Sequence, residues 1–157
     1  MSVQIILGSI NDREVAAGAE KVLRELGVAF QTTVASAHRS PARVEQIVKA
    51  SKAEVFIAIA GLTNALAGVV GALTIKPVIG VPVSGKLNLD SILSVTQLPP
   101  GMPIAAVGLD RGENAGHLAC QMLAIKDKAL QDKLLAYKKK LADKVETDAK
   151  ALEAAAQ

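Results

Sequence analysis

Aromatic side chains are almost missing from this 157-residue chain: Phe30, Phe56 and Tyr137 are the whole set, and there is no tryptophan. Proteins that bind single-stranded nucleic acid stack bases on aromatic platforms, so that class is disfavoured from the start. Cysteine is as scarce. Cys120 stands alone, which excludes an internal disulfide, and its apolar helical stretch reads as the setting of a buried structural thiol. The two histidines, His38 and His117, lie far from each other and from the cysteine, so no zinc-site spacing exists. There is no G-x-G-x-x-G turn, no P-loop and no G-x-S-x-G elbow, which leaves dinucleotide binding, NTP binding and hydrolase chemistry unsupported. No amino-terminal signal pattern appears, and no apolar run is clean enough for a membrane span. A cytoplasmic protein without membrane contact is expected.

An excess of one charge is also lacking. Eighteen Lys/Arg against fifteen Asp/Glu leave a net charge of +3. The lysines gather after Lys126, but acids are interleaved among them. That is the pattern of a solvated helix face, and no nucleic-acid partner is expected.

What remains is a chain that is half hydrophobic, built from Ala, Val, Ile and Leu. Its length suits one domain with a single core. Val3 to Leu7 reads as a strand ending in Gly8-Ser9. A helix follows Asp12, with Val15, Ala16, Ala19, Val22, Leu23 and Leu26 on one face, and Gly27 stops it. Phe30 to Val34 is the second strand. After it comes Ser36-Ala37-His38-Arg39-Ser40-Pro41, with Ser40 as cap and Pro41 in the first turn of the next helix. Val55 to Ile59 is a continuous apolar strand of the kind covered on both faces. It runs into Ala60-Gly61-Leu62-Thr63-Asn64 and a small-residue helix reaching about Leu73. Val78 to Val81 and Ile104 to Val107 are the last strands. Leu89 to Val95 reads as a short helix, Arg111 to Asn114 as a polar loop, and Ala115 to Ile125 as the helix that closes the domain.

Five β-α repeats require parallel strands with right-handed crossovers. The expected fold class is therefore α/β: a flavodoxin-like three-layer sandwich around a five-stranded parallel sheet of order 2-1-3-4-5. Residues 1–125 form this domain. Residues 126–157 form a carboxy-terminal extension, in which Leu130, Leu134, Tyr137, Leu141 and Val145 recur at helical spacing and need a partner. Glu153 to Gln157 are expected to fray.

In such sheets, ligands bind beyond the carboxyl ends of the strands, where strand order reverses. Polar residues cluster there. Gly8, Ser9, Asn11 and Asp12 follow the first strand, Ser36, His38 and Arg39 the second, and Gly61, Thr63 and Asn64 the third. A helix amino terminus at Ser9 favours an anion, and Arg39 adds bidentate donors for phosphate. Asp12 suits either ribose hydroxyls or a helix cap. His38 lies in a loop at the ligand edge, between an alanine and an arginine, and fits an acid/base role. His117, inside a helix, reads as structural.

Ordered along the chain, these turns resemble a known family. The quoted pieces are Gly8-Ser9-x-x-Asp12, Ser36-Ala37-His38-Arg39-x-Pro41 and Ala60-Gly61. They continue with Pro77 to Val83, Leu89-Asp90-Ser91-Ile92-Leu93-Ser94, Gln97-Leu98-Pro99 and Glu113-Asn114-Ala115. The set, over about residues 3–125, is similar to the 5-(carboxyamino)imidazole ribonucleotide mutase family, also called the phosphoribosylaminoimidazole carboxylase catalytic subunit. The resemblance implies carboxylate transfer on a phosphoribosyl aminoimidazole in purine biosynthesis, with no metal or organic cofactor. It implies a homo-octamer whose carboxy-terminal helices reach neighbouring subunits. It matches His38 to the catalytic acid/base, and Ser9, Asp12 and Arg39 to substrate-binding positions. With the loop residues, the expected substrate-binding set is Ser9, Asn11, Asp12, Ser36, Arg39, Gly61, Thr63, Asn64 and Leu66.

One signature departs from the family. Its third loop usually reads Ala-Gly-x-Ala-Ala-His-Leu-Pro-Gly, whereas here Ala65 stands for the histidine and Ala67 for the proline. Thr63 and Asn64 replace alanines, and Asn11 replaces a common serine. Asn64 supplying the missing polar contact is the favoured reading. A paralogue that binds a ribonucleotide without carboxylate transfer, and direct carboxylation of aminoimidazole ribonucleotide by carbon dioxide, are the alternatives.

Overall fold

A computed structural model describes residues 1–86 and 88–155. Five strands form one parallel sheet: β1 (Ser2–Leu7), β2 (Ala29–Val34), β3 (Val55–Ala60), β4 (Val78–Pro82) and β5 (Ala105–Ala106). Their order is β2-β1-β3-β4-β5, so strand order reverses between β1 and β3, as expected. The helices are α1 (Arg13–Leu26), α2 (Pro41–Ala50), α3 (Ala65–Ala72), α4 (Asn88–Thr96), α5 (Gly112–Ala124) and α6 (Lys128–Ala155).

Strand alternation divides the core into two layers. Val3, Ile5 and Leu7 of β1 face one side with Ile57, Ile59, Ile79 and Val81, against Ala16, Ala19 and Leu23 of α1 and Ala115, Ala119 and Cys120 of α5. Ile6, Phe56 and Ala58 face the other, against Val44 and Val48 of α2, Leu66, Ala67 and Val70 of α3 and Val95 of α4. All six residues of β3 are buried, which is why that strand carries no polar alternation. Gly27 ends α1 in the left-handed region at φ 76°, and Val28 N–H reaches back to the Leu23 carbonyl at 2.8 Å.

Some elements depart from expectation. Arg111 to Asn114 is not a loop: α5 already begins at Gly112. A Cβ at Gly112 would lie 1.9 Å from the Val15 carbonyl oxygen, so the start of α5 lies backbone-to-backbone against α1. Glycine there serves close approach, and Glu113 sits in the first turn where the helix dipole favours an acid. β5 is two residues long, flanked by the Val107 N–H bond to the Gly80 carbonyl, because it pairs with β4 alone and Pro103 has no N–H to donate.

α6 begins on its own domain. Asp127 Oδ1 accepts from Leu130 N–H, Gln131 Nε2 donates to the Ala124 carbonyl, and Lys133 Nζ donates to the Leu26 carbonyl. Leu130 is buried, and Tyr137 packs on His117 with ring centroids 4.3 Å apart. Beyond it the apolar stripe faces solvent: Val145 is 66% and Leu152 75% exposed. The helix runs through Ala155, so Glu153 to Ala155 are placed in helical conformation, consistent with the high helix propensity of alanine. Ala156 and Gln157, also expected to fray, lie outside the described residues. No described helix is long and apolar enough to cross a membrane.

Candidate active site

Three loops leave the carboxyl ends of β1, β2 and β3 side by side and enclose a cavity of about 530 Å³. All ten residues expected at the site line it: Ser9, Asn11, Asp12, Ser36, His38, Arg39, Gly61, Thr63, Asn64 and Leu66. Gly8, Ala37, Ala60, Leu62 and Ala65 complete the wall. A larger cavity, about 850 Å³, lies at the other end of the sheet, lined by residues such as Lys49, Ile75, Lys76 and Met102. Its titratable groups are two lysines, and Lys76 Nζ already donates to the Ser51 carbonyl. The three-loop cavity, at the strand reversal and with an acid, a histidine and a guanidinium, is the candidate site.

The first loop is built by a reciprocal cap. After Gly8, Ser9 has extended backbone and precedes a short 3-10 turn, Ile10–Asp12. Ser9 Oγ accepts from Asn11 N–H at 3.2 Å, and Asp12 Oδ2 accepts from Ser9 N–H at 2.9 Å. Asp12 therefore closes this turn and makes no side-chain cap on α1, which corrects the simple cap reading. It is 7% exposed. Burial pushes its carboxyl above the usual carboxylate range, opposed by the Ser9 N–H and the positive Arg39 nearby.

The second loop is a turn over Ala37 to Arg39, closed by Ser40 N–H on the Ser36 carbonyl at 2.9 Å. Ser40 was expected to cap α2. Its Oγ instead accepts from Ser36 N–H and donates to the Ser36 carbonyl, so it locks the loop rather than the helix. The four-residue spacing across the turn is the only sequence signal of this pairing. Ser36 Oγ accepts from Arg39 N–H and from Arg39 Nε. Arg39 Nη2 donates to the Gly8 carbonyl at 3.0 Å, tying the second loop to the first. His38, at the tip of this turn, is exposed towards the cavity and has no hydrogen-bond partner among the described residues.

The third loop sits against the first so closely that a Cβ at Gly8 would lie 2.9 Å from the Ala60 Cβ. Leu62 and Asn64 both have positive φ, 52° and 31°. Thr63 between them is exposed, whereas Asn64 is 2% exposed and donates Nδ2 to the Val81 carbonyl at 3.0 Å. Asn64 thus turns an amide N–H into the fold, a destination that sequence spacing does not reveal. Leu66 is buried and packs with Ala67 and Val70, so it meets the cavity as part of its floor.

The arrangement offers anion donors (Ser9, Ser36, Arg39), a buried carboxyl and one freely placed imidazole on a single cavity. Among the described residues, no group of three or more His, Cys, Asp and Glu is placed to hold a metal ion.

The AIR carboxylase family model matches residues 2–144. The N5-carboxyaminoimidazole ribonucleotide mutase of Methanocaldococcus jannaschii is 56% identical over 142 residues, 90% of this chain and 90% of that protein. The one from Pyrococcus horikoshii is 44% identical over 156 residues, covering 96% and 88%. The crystal structure of Treponema denticola PurE is 28% identical, covers 96% of this chain and 98% of that one, and superposes with a TM-score of 0.88. Sequence and fold agree over nearly the whole chain, and it belongs to the AIR carboxylase family.

Proposed function

We propose that this protein is an N5-carboxyaminoimidazole ribonucleotide mutase, a cytoplasmic isomerase of purine biosynthesis. It moves a carboxylate from the exocyclic N5 to C4 of the imidazole ring. The observation that carries this reading is one cavity in which His38 stands beside Ser36 and Arg39 of its own turn and Ser9 of the first loop. The relatives' names supply the substrate class.

Ser9, Ser36 and Arg39 bind the 5′-phosphate, with Asn11 beside them, and Asp12 accepts from the ribose hydroxyls. His38 is the acid/base. As imidazolium it gives its proton to N5 while the N5–carboxylate bond breaks, and the bond's electron pair stays on nitrogen. Carbon dioxide is released into the cavity beside a neutral amine. C4, nucleophilic through the enamine-like ring, attacks that carbon dioxide. Neutral His38 then removes the C4 proton, which restores the aromatic ring and its own starting state. An imidazole suits both directions because it titrates near neutral pH. Holding carbon dioxide against Gly61, Thr63 and Leu66 makes the recombination effectively unimolecular.

The protein works as a homo-octamer, with residues 126–157 as an extension whose solvent-facing stripe, including Leu141 and Val145, packs on a neighbouring subunit. Light scattering reads the assembly directly, and a monomer at micromolar concentration would reject it.

The deciding assay supplies N5-carboxyaminoimidazole ribonucleotide without ATP and follows the 4-carboxy product, with a parallel arm of aminoimidazole ribonucleotide plus bicarbonate. Turnover in the first arm, reduced by about 10²-fold or more in His38→Asn, is expected. Turnover in the second arm alone means direct carboxylation. Calorimetric binding with no turnover in either arm means a ribonucleotide-binding protein.

A further inference from the structure

The third loop contains a residue whose amide N–H is spent on the fold, Asn64. Asn64 is 2% exposed, and its Oδ1 is sealed from solvent with no donor among the described residues. An amide oxygen left in that state is a desolvation cost without return. Alanine or leucine would avoid it. What asparagine supplies in their place is an N–H for the Val81 carbonyl, made at 3.0 Å, and tolerance of the left-handed backbone it adopts at φ 31°.

Both properties act on the same short connection. Only Gly61 to Asn64 separate β3 from α3. Asn64 N–H closes the turn on the Gly61 carbonyl at 3.0 Å, and Leu62 is forced to φ 52° with its side chain 67% exposed. A bulky residue held left-handed needs its surroundings to over-determine it. The Val81 tether provides this, because Val81 is fully buried and paired with Ile59 of β3. No side-chain cap holds the start of α3 otherwise.

We infer that Asn64 is a positioning residue for the proposed carboxylate transfer: its amide, anchored on the Val81 carbonyl, fixes the wall formed by Leu62, Thr63 and the start of α3. This rests on the mutase reading. The residues proposed to hold the phosphate and ribose, Ser9, Asp12, Ser36 and Arg39, lie on the other two loops. Loss of the tether therefore moves the wall that confines the migrating group and leaves the ribonucleotide anchor in place.

Two variants separate the tether from the backbone. Asn64→Gly keeps access to the left-handed region and removes the amide. Asn64→Asp keeps the shape but presents no N–H to Val81. With cooperative thermal unfolding retained, both are expected to lose about 10- to 100-fold in kcat, as displacements of about 1 Å near a reacting centre do. Calorimetric affinity for aminoimidazole ribonucleotide stays within about threefold, since its anchors are untouched. Hydrogen exchange at the amides of residues 62–67 becomes faster in Asn64→Gly. Full kcat in Asn64→Gly, a parallel fall of kcat and affinity, or unchanged exchange at those amides would overturn the inference. Absence of turnover in the unsubstituted protein sinks the mutase reading instead, and the exchange measurement still judges the tether.

Discussion

Gly8 lies where the first and third loops touch, and substituting it measures how tightly that contact is set. Alanine at position 8 brings a Cβ to 2.9 Å from the Ala60 Cβ, against the ~3.5–4.0 Å at which carbon atoms pack. Neither atom belongs to a flexible side chain, so backbone has to move by about 0.6–1 Å to restore that contact distance. Residue 8 is held from both sides, by its N–H on the Ile59 carbonyl at 2.9 Å and by Arg39 Nη2 on its carbonyl at 3.0 Å. Gly8→Ala is therefore expected to destabilise by about 1–3 kcal/mol, the usual range for overpacking. Ala60→Gly removes the opposing methyl and by itself costs about 1–2 kcal/mol, from lost burial and a glycine at a strand end. In the double variant the clash is gone. The double-mutant cycle should then show a favourable coupling of about 1 kcal/mol or more. Urea unfolding of the four proteins at one fixed concentration reads these values, since assembly would otherwise shift the midpoints. Additivity within about 0.5 kcal/mol would refute the steric argument.

Other outcomes follow from burial. Gly112→Ala should destabilise by about 3 kcal/mol or more, because its Cβ falls 1.9 Å from the Val15 carbonyl oxygen and α1 and α5 must part; a loss below about 1 kcal/mol in chemical unfolding would contradict it. Burial lowers the His117 pKa, with Glu25 of α1 and Glu113 of α5 pulling the other way, while Lys133, Tyr137 and Lys140 of α6 line the same side. The unfolded chain then binds the proton more readily, so stability falls as pH drops below the ordinary histidine range. Across pH 7.5 to 5, His117→Gln should lose less stability than the parent, and equal slopes would reject the burial argument. The Cys120 thiol is buried and pushed up to about 11. Native alkylation at pH 8 should run at least about 100-fold slower than in the urea-unfolded chain, where roughly a quarter of the thiol is ionised. Fast native labelling would mean that α5 opens.

Much of the architecture was legible in the sequence because its signals are local. Apolar runs such as Val55 to Ile59, stops such as Gly27 and the alternation of strand and helix patterns determine parallel connectivity whatever the rest of the chain does. The placement of polar turns after the first three strands followed from the same connectivity, and all ten expected site residues do share one cavity. Tertiary structure alone decided what each side chain does there. Ser40 reads as a helix cap and locks Ser36; Asp12 reads as a cap or ribose ligand and also holds Ser9; Asn64 reads as a ligand contact and holds Val81. The start of α5 at Gly112 depends on Val15 about a hundred residues earlier. A hydrogen-bonding side chain has several partners within reach of its own segment. Which one it takes depends on which carbonyls and amides the folded neighbours leave unpaired, and periodicity along the chain carries no record of that.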